Sequence, residues 1–174
     1  MSARLSLSIA LATYNGERFV GEQLESIARQ TRLPDELVIF DDASTDATVS
    51  VVQDFARRAS FPVRLQVNPE RLGSTRNFEA AIYACGGEII FLCDQDDIWY
   101  PDKMARIEEQ FVRDSETGAV FTDADVVDQD LSPLRLRLWK EMFAFWICKP
   151  INFHPTAYFF CFPACGFRCF YFSR

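Results

Sequence analysis

The sequence has a single histidine, only seven glycines and no block of lysines or arginines. Each scarcity removes a class of chemistry. A Ser/His/Asp triad would have to draw on His154, near the C-terminal end, and no nucleophile-elbow motif is present. There is no GxxxxGK[ST], so a P-loop is absent, and no GxGxxG, so a dinucleotide fold of that type is unsupported. Six cysteines form no CxxC pair: Cys85 and Cys93 stand in the main body, and Cys148, Cys161, Cys165 and Cys169 stand in the last 27 residues. A structural zinc site and a disulfide framework are both weakly supported. A net charge of -7 with no basic cluster argues against general nucleic-acid binding. Met1 to Ser8 carries one arginine, and the apolar run that follows breaks at Tyr14-Asn15-Gly16, so no secretory leader is expected and the chain reads as cytosolic.

What is present fits one globular domain with a real core: 174 residues, 49% apolar and 25% charged. Strand and helix patterns alternate. Leu5 to Thr13 is an apolar strand pattern, followed by a turn at Tyr14-Asn15-Gly16. Glu17 to Gln30 places Val20, Leu24 and Ile27 on one helical face. Glu36 to Phe40 is a second strand ending at Asp41-Asp42, and Ser44-Thr45-Asp46 supplies N-cap residues for a helix marked by Val49, Val52, Phe55 and Ala59. Pro62 to Val67 alternates like a strand with one wet face. Ser74 to Ala84 is helical, with Gly86-Gly87 expected to close it. Glu88 to Cys93 is a strand, Pro101 suits the first turn of a helix carrying Met104, Ile107 and Phe111, and Ala119 to Thr122 reads as a further short strand. This alternation implies βαβ units and a mostly parallel α/β sheet flanked by helices.

The C-terminal segment changes style. From residue 143 to 174 there is no Asp or Glu, and twelve residues are aromatic. Pro150, Pro155 and Pro163 interrupt any period, and Lys149, His154 and Arg168 argue against a membrane span, which needs about 20 mainly apolar residues. A partner-facing surface is one reading. The preferred one is a reading-frame change or truncated gene after about residue 140, which divides the chain into a domain at 1–142 and an anomalous aromatic and cysteine-rich tail at 143–174, whose order is left open.

The densest chemistry lies in Phe91-Leu92-Cys93-Asp94-Gln95-Asp96-Asp97-Ile98-Trp99. An apolar strand there ends in three carboxylates within four residues. Carboxylate oxygens suit Mg²⁺, Mn²⁺ or Ca²⁺, although a polar turn capping the next helix is the plainer alternative. A calcium EF-hand loop starting at Asp94 would need Gly and Glu where Trp99 and Ala105 stand. Asp41-Asp42 bring carboxylates to a second strand end, and Thr13-Tyr14-Asn15 makes a third. Ligands bind beyond the carboxyl ends of strands in open α/β sheets. A carboxylate there can accept from the imide N–H of uracil or thymine, Tyr14 can pack on a base, and the aspartates after Cys93 can hold a metal bridging a diphosphate. Arg71 and Arg76 are candidate diphosphate contacts, a solvated helix face being the alternative.

Four segments carry a resemblance: Ser8 to Gly16 (SIALATYNG), Leu37 to Asp46 (LVIFDDASTD), Asn68 to Asn77 (NPERLGSTRN) and Gly87 to Lys103 (GEIIFLCDQDDIWYPDK). In order and spacing, over roughly residues 4 to 130, the chain resembles a family 2 glycosyltransferase of the GT-A fold. Gln95 and Ile98-Trp99 make it most similar to the rhamnosyltransferase-like branch that builds bacterial surface polysaccharides. The resemblance implies that Ala12, Thr13 and Tyr14 line a nucleobase pocket, that Asp42 pairs with the base, and that Arg76 lies near the donor. It implies that Asp96 and Asp97 form the DxD-like motif for Mg²⁺ or Mn²⁺. Asp97 is then the preferred direct ligand, Asp96 is nearer the ribose, and Asp94 supports both.

The implied reaction moves a sugar from a UDP- or dTDP-sugar to a hydroxyl of a polysaccharide or glycolipid acceptor, with inversion and a carboxylate base. A cytoplasmic protein is expected, with peripheral association at the inner face of the plasma membrane left open. Asp123 and Asp125 are candidates for the base, but a turn beside Asp128 and Asp130 is the preferred reading, and the base stays unassigned. An inactive nucleotide-binding remnant and a nucleotidyltransferase are the competing readings. The latter is disfavoured because Thr13-Tyr14-Asn15-Gly16 stands where its glycine-rich loop belongs. Asp97→Ala is expected to abolish Mn²⁺-dependent nucleotide binding with the fold intact.

Overall fold

The computed structural model describes residues 4–128, 131–138 and 168–172, the last as backbone. The elements run β1 (Leu7–Thr13), α1 (Val20–Ala28), β2 (Glu36–Asp41), α2 (Thr48–Ala56), β3 (Val63–Val67), α3 (Ser74–Ala84), β4 (Ile89–Asp94), β5 (Ile98–Trp99), α4 (Lys103–Arg113), β6 (Asp123–Val127), β7 (Pro133–Arg137) and β8 (Arg168–Phe172). Strands β3-β2-β1-β4 form a sheet in which every pairing is parallel. The second sheet, β5-β8-β6-β7, pairs β8 parallel to β5 and antiparallel to β6. The expected division at 142/143 falls on residues outside those described, as do His154, Cys148, Cys161 and Cys165.

Side-chain alternation decides how the first sheet is covered. Leu7, Ile9 and Leu11 of β1, with Leu37 and Ile39 of β2 and Ile89, Phe91 and Cys93 of β4, face one core. That core is closed by Val20, Leu24 and Ile27 of α1, Val52 and Phe55 of α2, and Met104 and Ile107 of α4. The opposite face is smaller: Ala10 meets Ala81 and Ile82 of α3, with Phe40 and Ile90 beside them. Small side chains at Ala10 and Ala81 let α3 lie close to the sheet. Near-continuous apolar runs on β1, β2 and β4 follow, because both faces of these strands are covered.

Three local expectations differ from the structure. Ala119 to Thr122 is not a strand; the strand is β6, where Ala124 and Val126 are buried and alternate with Asp123 and Asp125. Gly86 and Gly87 do not close α3 in the left-handed conformation, since Cys85 ends it in an extended one. Gly87 is needed for proximity instead: a Cβ there would lie 2.6 Å from Ser8 Oγ and 2.7 Å from Ser8 N. The N-cap position of α2 is Ala47 rather than the preceding polar trio, but Asp46 still does capping work, accepting from Thr48 N–H at 2.9 Å.

Candidate functional site

Register brings the ends of β1, β2 and β4 level. Ala12 lies opposite Phe40 on one side and Asp94 on the other, and Thr13 lies opposite Asp41. The loops that leave these ends therefore emerge along one edge, at the carboxyl ends of parallel strands, where the sequence placed its candidates.

The loops are laced to one another. Asp41 is buried and structural: its carboxylate accepts from Thr13 Oγ1 at 2.7 Å, Ser44 N–H at 2.8 Å and Ser44 Oγ at 2.6 Å. Asn15 N–H donates to Ser44 Oγ at 2.8 Å, Asn15 Oδ1 accepts from Thr45 N–H at 2.9 Å, and Gly16 N–H donates to Thr48 Oγ1 at 2.8 Å. Glu17 and the start of α2 exchange bonds, Glu17 N–H to Asp46 at 3.1 Å and Ala47 N–H to Glu17 at 2.7 Å. Two residues in these turns adopt left-handed backbone, Asn15 with φ 45° and Ala43 with φ 60°. Asn tolerates that region, whereas Ala there is strained.

Asp42 holds the third loop. Its carboxylate accepts from Leu72 N–H at 2.6 Å, Gly73 N–H at 2.9 Å and Asn68 Nδ2 at 3.1 Å, and it is 2% exposed. A carboxylate offers about four acceptor positions, so one is left for a ligand donor. Asn68 and Asn77 continue the network, Asn68 Nδ2 donating to Asn77 Oδ1 at 2.8 Å and Asn77 Nδ2 to the Phe40 carbonyl at 2.8 Å. Asn77 sits on the apolar stripe of α3 beside Phe78 and Ala81, an anomaly visible in the sequence that marks it as more than helix filler. The Asn68–Gly73 loop also carries Arg71, whose guanidinium lies 4.0 Å from the centroid of the Tyr14 ring and covers one of its faces. Arg76 is exposed in the first turn of α3.

The fourth loop is the carboxylate turn between β4 and β5. Gln95 fastens it to Tyr14: Tyr14 N–H donates to Oε1 at 2.9 Å, and Nε2 donates to the Tyr14 carbonyl at 3.1 Å. Asp94 is pushed up to about 7 by burial, with the charge of Asp96 adding to the rise and Lys103 opposing it. Asp96 is partly exposed and Asp97 is 6% exposed. Behind them Lys103 is buried, its ammonium 4.2 Å from the centroid of the Trp99 ring. Burial pushes the Lys103 ammonium down, while the charge of Asp97 above all, and that of Asp94, draws it back up. Asp97 is thus the principal counter-charge to a buried lysine, which the sequence reading missed. A lysine six residues after an aspartate, on the apolar face of α4 beside Met104, was the available signal.

Among the described residues no three His, Cys, Asp or Glu side chains converge to hold a metal ion. The donor set does fit a shared site. Mg²⁺ and similar hard ions are commonly held by one or two carboxylates, with phosphate oxygens of the substrate and water completing the shell. Neither Cys85 nor Cys93 fits a nucleophile: burial raises Cys85 to about 11 and lifts the fully buried Cys93 well above the usual thiol range.

Asp123 and Asp125 are both engaged. Arg137 Nε lies 2.9 Å from Asp123 Oδ2 and 3.6 Å from Asp125 Oδ1, and the Tyr100 hydroxyl donates to Asp125 Oδ2 at 3.2 Å. They lie within β6 and not in a turn.

Comparison with known proteins agrees with this architecture. The family described as Glycosyl transferase family 2 matches residues 8–173. The chain is 38% identical over 100 residues to the dTDP-rhamnosyl transferase RfbG of Shigella flexneri, covering 54% of this chain and 34% of that protein. It is 29% identical over 147 residues to the abequosyltransferase RfbV of Salmonella typhimurium, covering 80% and 44%. Among solved structures, Staphylococcus aureus TarS in complex with UDP-GlcNAc shares the fold with a TM-score of 0.59 at 24% identity, covering 71% of this chain and 33% of that one. The mannosyltransferase PcManGT of Pyrobaculum calidifontis, in complex with GDP-Man and Mn²⁺, gives a TM-score of 0.57 at 29% identity, covering 62% and 32%. The chain spans a third to a half of the length of these relatives. The parallel sheet with helices on both faces is the GT-A arrangement of these structures.

Proposed function

The chain belongs to glycosyl transferase family 2, and from that premise we propose that it binds a UDP- or dTDP-sugar and transfers the sugar, with inversion, to a hydroxyl of a polysaccharide or glycolipid acceptor. The observation that carries this reading is the lacing of four strand-end loops around Tyr14, with Asp42 on one side and the Asp94–Asp97 turn on the other. The family relation of RfbG, named for dTDP-rhamnosyl transfer, supports a pyrimidine nucleotide donor and a place in building bacterial cell-envelope polysaccharide.

In this proposal Ala12, Thr13 and Tyr14 border the base, and the remaining acceptor position of Asp42 takes the ring imide N–H. Arg71, which lies over the Tyr14 ring, and Arg76 are the proposed diphosphate contacts. Asp96 and Asp97 are the proposed metal residues. Mg²⁺ or Mn²⁺ held there would neutralise diphosphate charge as the nucleotide leaves. The PcManGT complex with Mn²⁺ supports a divalent ion in this family. Among the described residues no helix is long and apolar enough to cross a membrane.

One observation favours a second reading, a nucleotide-binding chain without transfer. The carboxylates of Asp123 and Asp125 both hold Arg137, so neither offers an open base to an acceptor hydroxyl. Turnover separates the two. Incubation with UDP- and dTDP-sugars, Mn²⁺ and saccharide acceptors is expected to release nucleotide in a manner stopped by chelation. Binding without release under every acceptor selects the second reading, and absence of binding overturns both.

A further inference from the structure

Gln95 stands between the carboxylates of Asp94 and Asp96, yet its side chain serves another loop. Its amide accepts from Tyr14 N–H at 2.9 Å and donates to the Tyr14 carbonyl at 3.1 Å. A single hydrogen bond leaves a peptide free to pivot about the contact. Two opposed bonds to one residue fix both its distance and its rotation, as in a strand ladder. Space is reserved for this contact: a Cβ on Gly16 would lie 2.2 Å from Gln95 Oε1 and 2.5 Å from Cδ. Gly16 has ordinary backbone, so its lack of a side chain answers proximity and not conformation. The neighbouring Asn15 and Gly16 amides are tied to the α2 side, leaving Gln95 as the side chain that ties Tyr14 to the carboxylate turn.

We propose that Gln95 is a positioning residue that makes the base-binding turn and the carboxylate turn one unit, so that nucleotide and divalent cation bind cooperatively through it. The inference rests on the donor-site reading above. A cation that settles the Asp94–Asp97 turn fixes Gln95, which fixes the Tyr14 peptide and the ring it carries. Coupling of this kind is reciprocal. The nucleotide must raise cation affinity by the same factor, beyond what direct contact between diphosphate and cation supplies.

Calorimetric titration of UDP and dTDP, with and without Mn²⁺, tests it on the full chain and on Gln95→Ala, Gln95→Glu and Gly16→Ala. The readout is the ratio of nucleotide affinity with Mn²⁺ to that without. Loss of two hydrogen bonds is expected to lower this ratio about tenfold in Gln95→Ala, while metal-free affinity changes less than about threefold. Gly16→Ala, which displaces the same amide from the other side, is expected to follow. Gln95→Glu keeps the acceptor and loses the donor, and is expected to fall between. A merely structural role would weaken both affinities together and leave the ratio unchanged. If wild type binds nucleotide in a metal-dependent way and Gln95→Ala shows the same ratio, the coupling is overturned and the donor site stands. If wild type binds no nucleotide, the donor reading falls and the coupling with it. Should Gln95→Ala melt below the assay temperature, Gly16→Ala, which adds no charge to the turn, carries the same two outcomes.

Discussion

Ala43 is a residue where local backbone and side chain disagree. Its φ of 60° turns the chain so that Ser44 presents both its N–H and its hydroxyl to Asp41. A non-glycine residue there costs about 1–2 kcal/mol, and the freedom glycine loses on folding returns about 0.5–1 kcal/mol of that. Ala43→Gly is therefore expected to stabilise the chain by about 0.5–1 kcal/mol in denaturant titration; destabilisation would show that the strain is not real. Asp97 needs the opposite treatment. The sequence suggested that Asp97→Ala would leave the fold intact, but the structure makes this carboxylate the main counter-charge to the buried Lys103. Removing one of two buried opposite charges leaves the other uncompensated. Asp97→Ala is therefore expected to lower stability in chemical denaturation more than Asp96→Asn, whose carboxylate is partly exposed. Equal stabilities would remove Asp97 from the role of counter-ion.

At the scale of elements, much was legible because the sheet is covered on both faces. Continuous apolar runs named β1, β2 and β4, and helical spacing named α1 through α4, with α3 found to its end residues. β6 was misread for a physical reason, and β7 was not read at all. The aspartates of β6 suggested a turn, although Ala124 and Val126 carry a period of two, as Leu134 and Leu136 do in β7. β5 has two residues and no pattern to read. The site was legible as strand-end carboxylates. The division of labour was not, because it depends on partners distant in sequence: Asp41 with Ser44 and Thr13, Asp42 with the Asn68–Gly73 loop, and Gln95 with Tyr14.

One inter-element clasp has a pH signature. Burial alone would raise the Asp35 pKa, but Leu7 N–H at 2.8 Å and Arg32, which also binds Glu108 of α4, hold it below the usual carboxylate range. A depressed folded value means the stabilisation is full above the unfolded pKa of about 4 and is lost as pH falls through the folded one. The stability difference between wild type and Asp35→Asn is expected to be constant near neutrality and to shrink below about pH 4. A difference independent of pH would dismiss the clasp.

For the whole molecule, the formal charge is -7, while the proposed ligand is itself an anion. The carboxylates of the candidate site sit at one sheet edge, where burial, and after it the charge of Asp96, raises Asp94. On the proposed reading, a cation between the two sets of oxygens offsets that repulsion, with Arg71 and Arg76 as the proposed helpers. The proposed metal dependence thus has an electrostatic reason. The most direct measurement is a calorimetric titration of the purified, folded chain with UDP and with dTDP, each in Mn²⁺ and in chelator. The account predicts binding that strengthens at least about tenfold with Mn²⁺. A folded chain that binds neither nucleotide, or binds equally well without the metal, would contradict it.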